Sequence, residues 1–311
     1  MKSDKDIKGH ALMFIAGVLW GLNSPVMKSL LSFNDGMITP MAISLFRMIG
    51  AALLFWVASF FAPKEQVRPH DMLLLFFASI FALSLNQGSF SFGLRLTSPL
   101  DASIITTTAP IITMIFAALF LKEPITGKKV IGVFTGAVGA LLLIINGQQQ
   151  STATGNHTIW GNILCLLSQF SYAIYLTVFK GLIERYSTIT LMKWMFTYAS
   201  VCFIPFSFRD VGMIEFGIFS TNSWMQLFFA VFCATFLTYL CLSYAQKKLR
   251  PTIIGMYNYV QPLVAGIVAI SLGMDTFGFL KGLAVIFVFL GVYIVTQSKS
   301  KAEIEVNKKD L

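Results

Sequence analysis

The chain has 311 residues, 56% hydrophobic and only 12% charged, with a mean hydropathy of +0.74, whereas a soluble domain carries about a quarter charged residues. Thirty Phe, fourteen Met and five Trp stand against fourteen carboxylates and three His, so water-soluble globular, disordered, collagen-like and disulfide-scaffold classes are excluded. The net charge of +9 would suit nucleic acid, but its distribution along the chain has to be read before its sign.

A helix needs about 20 apolar residues to cross the hydrocarbon core, and ten such stretches are present: 10–31, 38–62, 72–93, 99–121, 128–146, 158–180, 188–208, 222–245, 251–273 and 277–297. The first follows charged residues and lacks a small-residue cleavage site, so it is expected to be a retained helix. It carries Trp20, Asn23 and Met27 at three- and four-residue spacing, hence on one face, with Pro25 interrupting the backbone ladder beside them. These features suit either a polar ligand site or ordinary membrane-helix packing. The second stretch holds Arg47 about nine residues in, where a charge costs roughly 2.5–3.5 kcal/mol. It therefore faces a central cavity as an anion partner, or bridges helices structurally.

In the third stretch Asn86 and Gln87 are adjacent, and in the eighth Thr238 and Tyr239 sit at corresponding depth, as ligand contacts or as interhelical hydrogen bonds. The sixth offers Gln169, Tyr172 and Tyr175, too deep for an interfacial aromatic belt. The ninth reads Tyr257-Asn258-Tyr259-Val260-Gln261-Pro262, which puts two amides one turn apart before a helix break. The substrate-site candidates are thus Trp20, Asn23, Arg47, Asn86, Gln87, Tyr172, Tyr175, Tyr239, Asn258 and Gln261. Lys28 and Lys180 read as helix-end lysines reaching toward the interface, Asp101 as a helix N-terminal acid, and Glu123 and Asp275 as capping or gating acids in turns. The four Cys all lie within stretches, as reduced apolar side chains. Neither metal nor cofactor is expected.

With both tails placed in the cytoplasm, eighteen of the twenty-three Lys and Arg fall on that side, the asymmetry of the positive-inside rule. The positive charge is then topological, and a nucleic-acid partner is not expected. Shifting the chain by 152 residues pairs 9–145 with 161–297 without a gap, nineteen of 137 positions being identical. The rarer matches carry the case: Gly9 with Gly161, Lys28 with Lys180, Phe76-Phe77-Ala78 with Phe228-Phe229-Ala230, Pro99 with Pro251, Pro110 with Pro262 and Gly139 with Gly291. With five helices per half, the second half must insert upside down. Inverted repeats of this kind build secondary carriers, and no phosphate-binding loop of an ATP-driven pump is present.

Two five-helix repeats, the run Trp20-Gly21-Leu22-Asn23-Ser24-Pro25 with Lys28, Arg47, and the endings Ala109-Pro110 through Leu121-Lys122-Glu123-Pro124 and Gln261-Pro262 through Asp275 resemble the EamA family of the drug/metabolite transporter superfamily. Gly273-Met274-Asp275-Thr276 departs from the pattern at the second ending. The resemblance implies an inner-membrane carrier, often an exporter of amino acids or other small metabolites.

The expectation is an all-α polytopic membrane protein of ten transmembrane helices in two inverted five-helix repeats. A cytoplasmic tail (1–8), repeat 1 (9–146), an external linker (147–157), repeat 2 (158–297) and a second cytoplasmic tail (298–311) make up the chain. No carboxylate falls in the middle of a stretch, so a proton relay through a membrane-embedded acid has no obvious carrier. The expected function is alternating-access export of a small polar metabolite across the cell membrane, by a monomer or homodimer whose partners are the substrate and the bilayer. Multidrug efflux, a channel and a non-transporting scaffold are the alternatives; an enzyme is not expected.

Overall fold

A computed structural model describes residues 6–31, 38–96, 105–146, 157–271 and 278–298. Among the described residues the chain is helical and has no strand. Helix α1 (Ile7–Leu31) and α2 (Pro40–Phe60) come first. Helix α3 (Pro69–Ser79) passes through a π-helical stretch, Ile80–Ser84, into α4 (Leu85–Leu96). Then come α5 (Ala109–Leu121), α6 (Gly127–Asn146), α7 (His157–Val178), the short α8 (Lys180–Arg185) and α9 (Thr188–Gly212). Helix α10 (Thr221–Phe228) continues through a π-helical stretch, Phe229–Leu237, into α11 (Thr238–Lys248). Helix α12 (Pro251–Met256) turns through Tyr257–Tyr259 into α13 (Val260–Ser271), and α14 (Phe279–Thr296) closes the described chain.

Helix occupies all or part of each hydropathy stretch. Among the described residues five runs are long and apolar enough to cross a membrane: Pro40–Phe60, Pro69–Gly93, Ile159–Val178, Thr188–Gly212 and Thr221–Lys248. Helix starts follow local chemistry. Pro40, Pro69 and Pro251 occupy first turns, where a missing N–H costs nothing. Thr39, Ser187 and Ser220 accept from the backbone N–H groups of Ala42, Thr190 and Ser223 at 3.2, 3.2 and 3.1 Å. Helix α5 stops at Lys122, whose φ of 54° is left-handed, while the Glu123 N–H reaches back to the Ala117 carbonyl at 3.1 Å.

The sequence expects a membrane-crossing stretch over 99–121. The described part turns at Thr107 and Thr108 and resumes at Ala109, because Pro110 cannot donate to the ladder. A break at Tyr257–Tyr259 precedes Pro262 in the same way. The π-helical stretches also correspond: side-chain hydroxyls of Thr235 and Thr238 donate five residues back, to Ala230 and Cys233 carbonyls, at 2.7 and 2.8 Å. In the first half Ser171 of α7 supplies the bond instead, donating to the Phe81 carbonyl at 2.6 Å.

Packing follows the 152-residue shift. Helix α2 lies along α9 and α6 along α14; α4 packs on α7 as α1 packs on α11, and α5 on α7 as α1 on α13. Small residues let α6 and α14 touch backbone to backbone, since a Cβ added at Gly139 would sit 2.7 Å from the Ala284 carbonyl oxygen, and one at Gly291 would sit 2.6 Å from that of Gly132. Two hydrogen bonds join positions 152 residues apart: Gln87 to Tyr239, and Tyr259 to the Thr107 carbonyl. Met48, Phe55, Leu83, Phe196, Leu242 and Tyr259 are buried, whereas Phe60, Phe206, Phe208 and Phe279 stand exposed on the outer face.

The end of the bundle that carries the first and last described residues is laced with charge. Lys129, completely buried, donates to Glu123 at 2.8 Å, and Lys180 lies 3.8 Å from the same carboxylate. Lys180, expected to reach for the interface, thus stands beside an acid of the other half. Arg250 donates to the Ser298 carbonyl at 3.0 Å. At the opposite end Thr39 donates to Asp210 at 2.5 Å and Gln226 to Ser29 at 2.9 Å. Asp101, Asp275, the 147–156 part of the linker and both expected tails apart from 6–8 and 298 lie outside the described residues, as do the side chains of Lys28 and Pro25.

Candidate functional site

Near the middle of the bundle the helices leave a cavity of about 220 Å³. Helix α1 contributes Trp20 and Asn23, α2 contributes Arg47, and α4 contributes Asn86, Gln87, Phe90 and Ser91. From the second half, α7 gives Ser168, Gln169 and Tyr172, α11 gives Tyr239, and the break between α12 and α13 brings Asn258 and Gln261 to the wall, opposite Thr106. Among the described residues the lining holds one formal cation, Arg47, and no carboxylate.

The helix irregularities aim these groups. The π-helical stretch before α11 carries Thr235, which accepts from Arg47 Nε at 2.8 Å and fixes the guanidinium stem while leaving its terminal nitrogens outside this bond. Asn86 donates to the carbonyl and hydroxyl of Ser168 at 2.9 and 3.0 Å. Gln87 donates to the Tyr239 hydroxyl at 2.8 Å, and Tyr239 meets Trp20 edge-on at 5.9 Å between ring centroids. Across the helix break Gln261 donates to Asn258 Oδ1 at 3.1 Å, which leaves the Asn258 amide N–H groups and the Gln261 carbonyl oxygen outside this bond.

Two buried cavity atoms, Asn23 Oδ1 and the Tyr172 hydroxyl, have no hydrogen-bond partner among the described residues. Such an orphan costs about 1–3 kcal/mol, and few are kept without a purpose. A cation with free N–H donors, an unpaired acceptor and an unpaired hydroxyl, ringed by amides and aromatic faces, can receive a small solute that brings its own anionic group and its own donors. Among the described residues no cluster of three His, Cys, Asp or Glu stands close enough to hold a metal ion.

Nine of the ten candidates named from the sequence line this one cavity. The exception is Tyr175. One turn beyond Tyr172, it is buried below the cavity and donates to Gln246 at 3.0 Å. Phe90, Ser91 and Ser168 were missed. Phe90 and Ser91 stand three and four positions after Gln87, on the same helical face, so extending the face of the known amide would have found them. Ser168 carries no such signal, because its role follows from the approach of α4.

The floor of the cavity is solid. On the side toward the first and last described residues, Phe55, Leu83, Phe196 and Leu242 are all buried, and Phe196 packs edge-on against Tyr239 at 5.1 Å.

The profile of the EamA-like transporter family matches residues 7–145 and again 159–297. An uncharacterized transporter of Archaeoglobus fulgidus is 28% identical over 69% of this chain and 77% of its own length. A second from the same organism is 25% identical over 93% and 97%. A WAT1-related protein of Arabidopsis thaliana is 22% identical over 94% of this chain and 86% of its own. A solved crystal structure superposes with a TM-score of 0.76 at 12% identity, covering 97% of this chain and 99% of that one, which makes it a likeness of fold. With both halves matched, the chain belongs to the EamA-like transporter family and is a multi-pass membrane protein of transporter type.

Proposed function

We propose that the protein is an alternating-access carrier of ten membrane-crossing helices, with repeat 1 (9–146) and repeat 2 (158–297) inserted in opposite senses. Its termini and the Glu123, Asp71 and Arg185 clusters face the cytoplasm of the cell that bears it, and it exports a small polar metabolite of the amino acid type. Contacts between positions 152 residues apart, Gln87 with Tyr239 and Tyr259 with Thr107, support a two-fold relation between the halves, because only equivalent positions near the axis of such a relation can meet. The excess of Lys and Arg on the side of the termini supports the orientation.

The observation that carries the reading is the polar cavity itself. In a bundle of this apolar composition, one guanidinium, six side-chain amides and two orphaned polar atoms converge at mid-depth between the halves, where inverted-repeat carriers hold substrate. An amino acid would set its carboxylate on Arg47 and its ammonium near Asn23 Oδ1, with Trp20 and Tyr239 as walls. The solid floor favours a carrier over a channel, which needs one continuous pore. Purified protein in proteoliposomes, screened by counterflow against amino acids, sugars, nucleobases and organic cations, tests this. Saturable, trans-stimulated uptake of a carboxylate-bearing solute is expected; unitary currents, or counterflow confined to hydrophobic cations, would overturn it.

A further inference from the structure

Beneath the cavity floor lies a second group of buried polar atoms that nothing described so far uses. Tyr175 on α7 donates to Gln246 Oε1, yet Gln246 Nε2 has no partner among the described residues, and neither has the Ser243 hydroxyl one turn earlier on α11. Gln246 is 3% exposed and Ser243 not at all. A fold that kept this arrangement permanently would carry the cost of unsatisfied groups for no return.

The repeat gives the pattern a meaning. Shifted by 152 residues, Asn23 of the cavity corresponds to Tyr175 and Ser91 of the cavity to Ser243. Two polar positions that line the open hollow in one half thus recur, buried, in the other half nearer the charged end, while Gln246 corresponds to Leu94. Over them lies the segment 180–187. Its α8 turns the apolar Leu182 and Ile183 inward, where both are buried. It is tied down on its polar side: Arg185 Nη1 donates to both oxygens of the buried Asp71 at 2.7 Å, and the Tyr186 hydroxyl donates to Asp71 at 2.5 Å. The Ser187 N–H donates to Glu65 at 2.9 Å, and Lys247, next to Gln246, donates to the Tyr186 carbonyl. Asp71 and Glu65 belong to the first half and the segment to the second, so the ties to these two acids cross between the halves, whereas the Lys247 bond lies within the second. By the same shift Asp71, Glu65, Arg185 and Tyr186 correspond to the uncharged Ser223, Gly217, Phe33 and Asn34, whereas Ser187 and Lys247 correspond to Asp35 and Arg95.

We infer that Tyr175, Ser243 and Gln246 are solute contacts on the second leg of the transport path, closed in this conformation by segment 180–187, which the Asp71–Arg185 pair latches. This rests on the carrier reading. The same polar solute that meets amides and hydroxyls in the cavity meets them again on its way to the charged end. In the sequence the Asp71–Arg185 pair corresponds by the shift to the uncharged Ser223 and Phe33, so this ion pair favours the state closed on its own side.

The test uses the full chain with its four Cys replaced by Ala, carrying either Gln246→Cys or Ser91→Cys, in vesicles probed from each face with a charged, membrane-impermeant maleimide. Releasing the latch by Asp71→Asn together with Arg185→Gln, which removes both charges at once, is expected to speed labelling at 246 from the charged end by about tenfold and to slow labelling at 91 from the opposite face. Labelling that rises at both positions means a loosened bundle and overturns the proposal. So does labelling at 246 that is unchanged, or already rapid with the latch intact. If the double variant fails to give monodisperse protein, Lys247→Gln removes a single tie and is judged by the same reciprocal criterion. Flux by the unsubstituted chain in the same vesicles separates the two readings. Flux with unresponsive labelling removes the second leg and leaves the carrier, whereas absence of flux for every solute screened removes the carrier itself.

Discussion

Arg47 is the single formal charge on the described cavity wall, and its removal is the sharpest probe of what the cavity holds. In Arg47→Gln the Nε bond to Thr235, 2.8 Å long, is lost together with any charge-assisted bond from the terminal nitrogens to a solute carboxylate. A hydrogen bond to a charged group contributes about 1.5–3 kcal/mol, and each 1.4 kcal/mol is tenfold in affinity. The half-saturation concentration for a carboxylate-bearing solute should therefore rise by about 10- to 150-fold. Thr235→Val separates the two contributions. It removes the neutral partner of Nε, about 1 kcal/mol, along with the hydroxyl's own bond to the Ala230 carbonyl, and should raise the same constant roughly fivefold with the charge still present. The assay is concentration-dependent counterflow in proteoliposomes with matched protein content, comparing a solute with its amide or ester analogue that lacks the negative charge. The analogue should be carried poorly by the native protein and with little further loss by Arg47→Gln. Native half-saturation for the carboxylate in Arg47→Gln, or an equal loss for solute and uncharged analogue, refutes the argument that the guanidinium binds the anionic group.

Lys129→Met leaves the nearly buried Glu123 with only Lys180, at 3.8 Å; breaking a buried pair from one side costs about 3–5 kcal/mol, so Tm in detergent should fall sharply. Adding Glu123→Gln should recover part of that loss. Gly291→Ala forces a Cβ to within 2.6 Å of the Gly132 carbonyl oxygen and should destabilise by about 1–3 kcal/mol, whereas Gly127→Ala, with no atom within 4 Å of its added Cβ, should leave Tm unchanged or slightly raised; thermal unfolding of both variants side by side checks the contrast. Burial pulls the Glu65 carboxyl upward, but hydrogen bonds from Ser187 and Thr190 and the charge of Lys247 together outweigh it and hold the group below its ordinary value. A depressed carboxylate stabilises the fold above its unfolded pKa and stops doing so as pH falls through the lower folded value. The Tm gap between the native chain and Glu65→Gln should accordingly be widest near neutrality and close below about pH 4; a gap independent of pH would count against the tie between Glu65 and segment 180–187.

Hydropathy alone sufficed for the helical class, the positions of the apolar stretches and the duplication, because a bilayer demands long apolar helices and a repeat leaves its glycines and prolines in register. Trp20, Arg47, the amides and Tyr239 were also legible, since a polar or charged side chain deep in an apolar helix has few reasons to be there. What sequence spacing could not supply was depth. Tyr172 and Tyr175 look alike on the page, three residues apart on one face, yet one borders the cavity and the other lies beneath its floor, because the course of α7 past α11 decides which turn meets the hollow. Lys129, adjacent to Lys128 in the sequence, is fully buried against Glu123, a pairing that follows the left-handed turn at Lys122 and that no local pattern announces. Asp71 and Arg185, more than a hundred residues apart, become partners only when the two halves come together. One-dimensional pattern thus determined where the apolar helices lie and which residues are anomalous in them. Tertiary packing decided which anomalies share a cavity and which hold it shut, since contact between distant segments depends on crossing angles and helix breaks that no local period encodes.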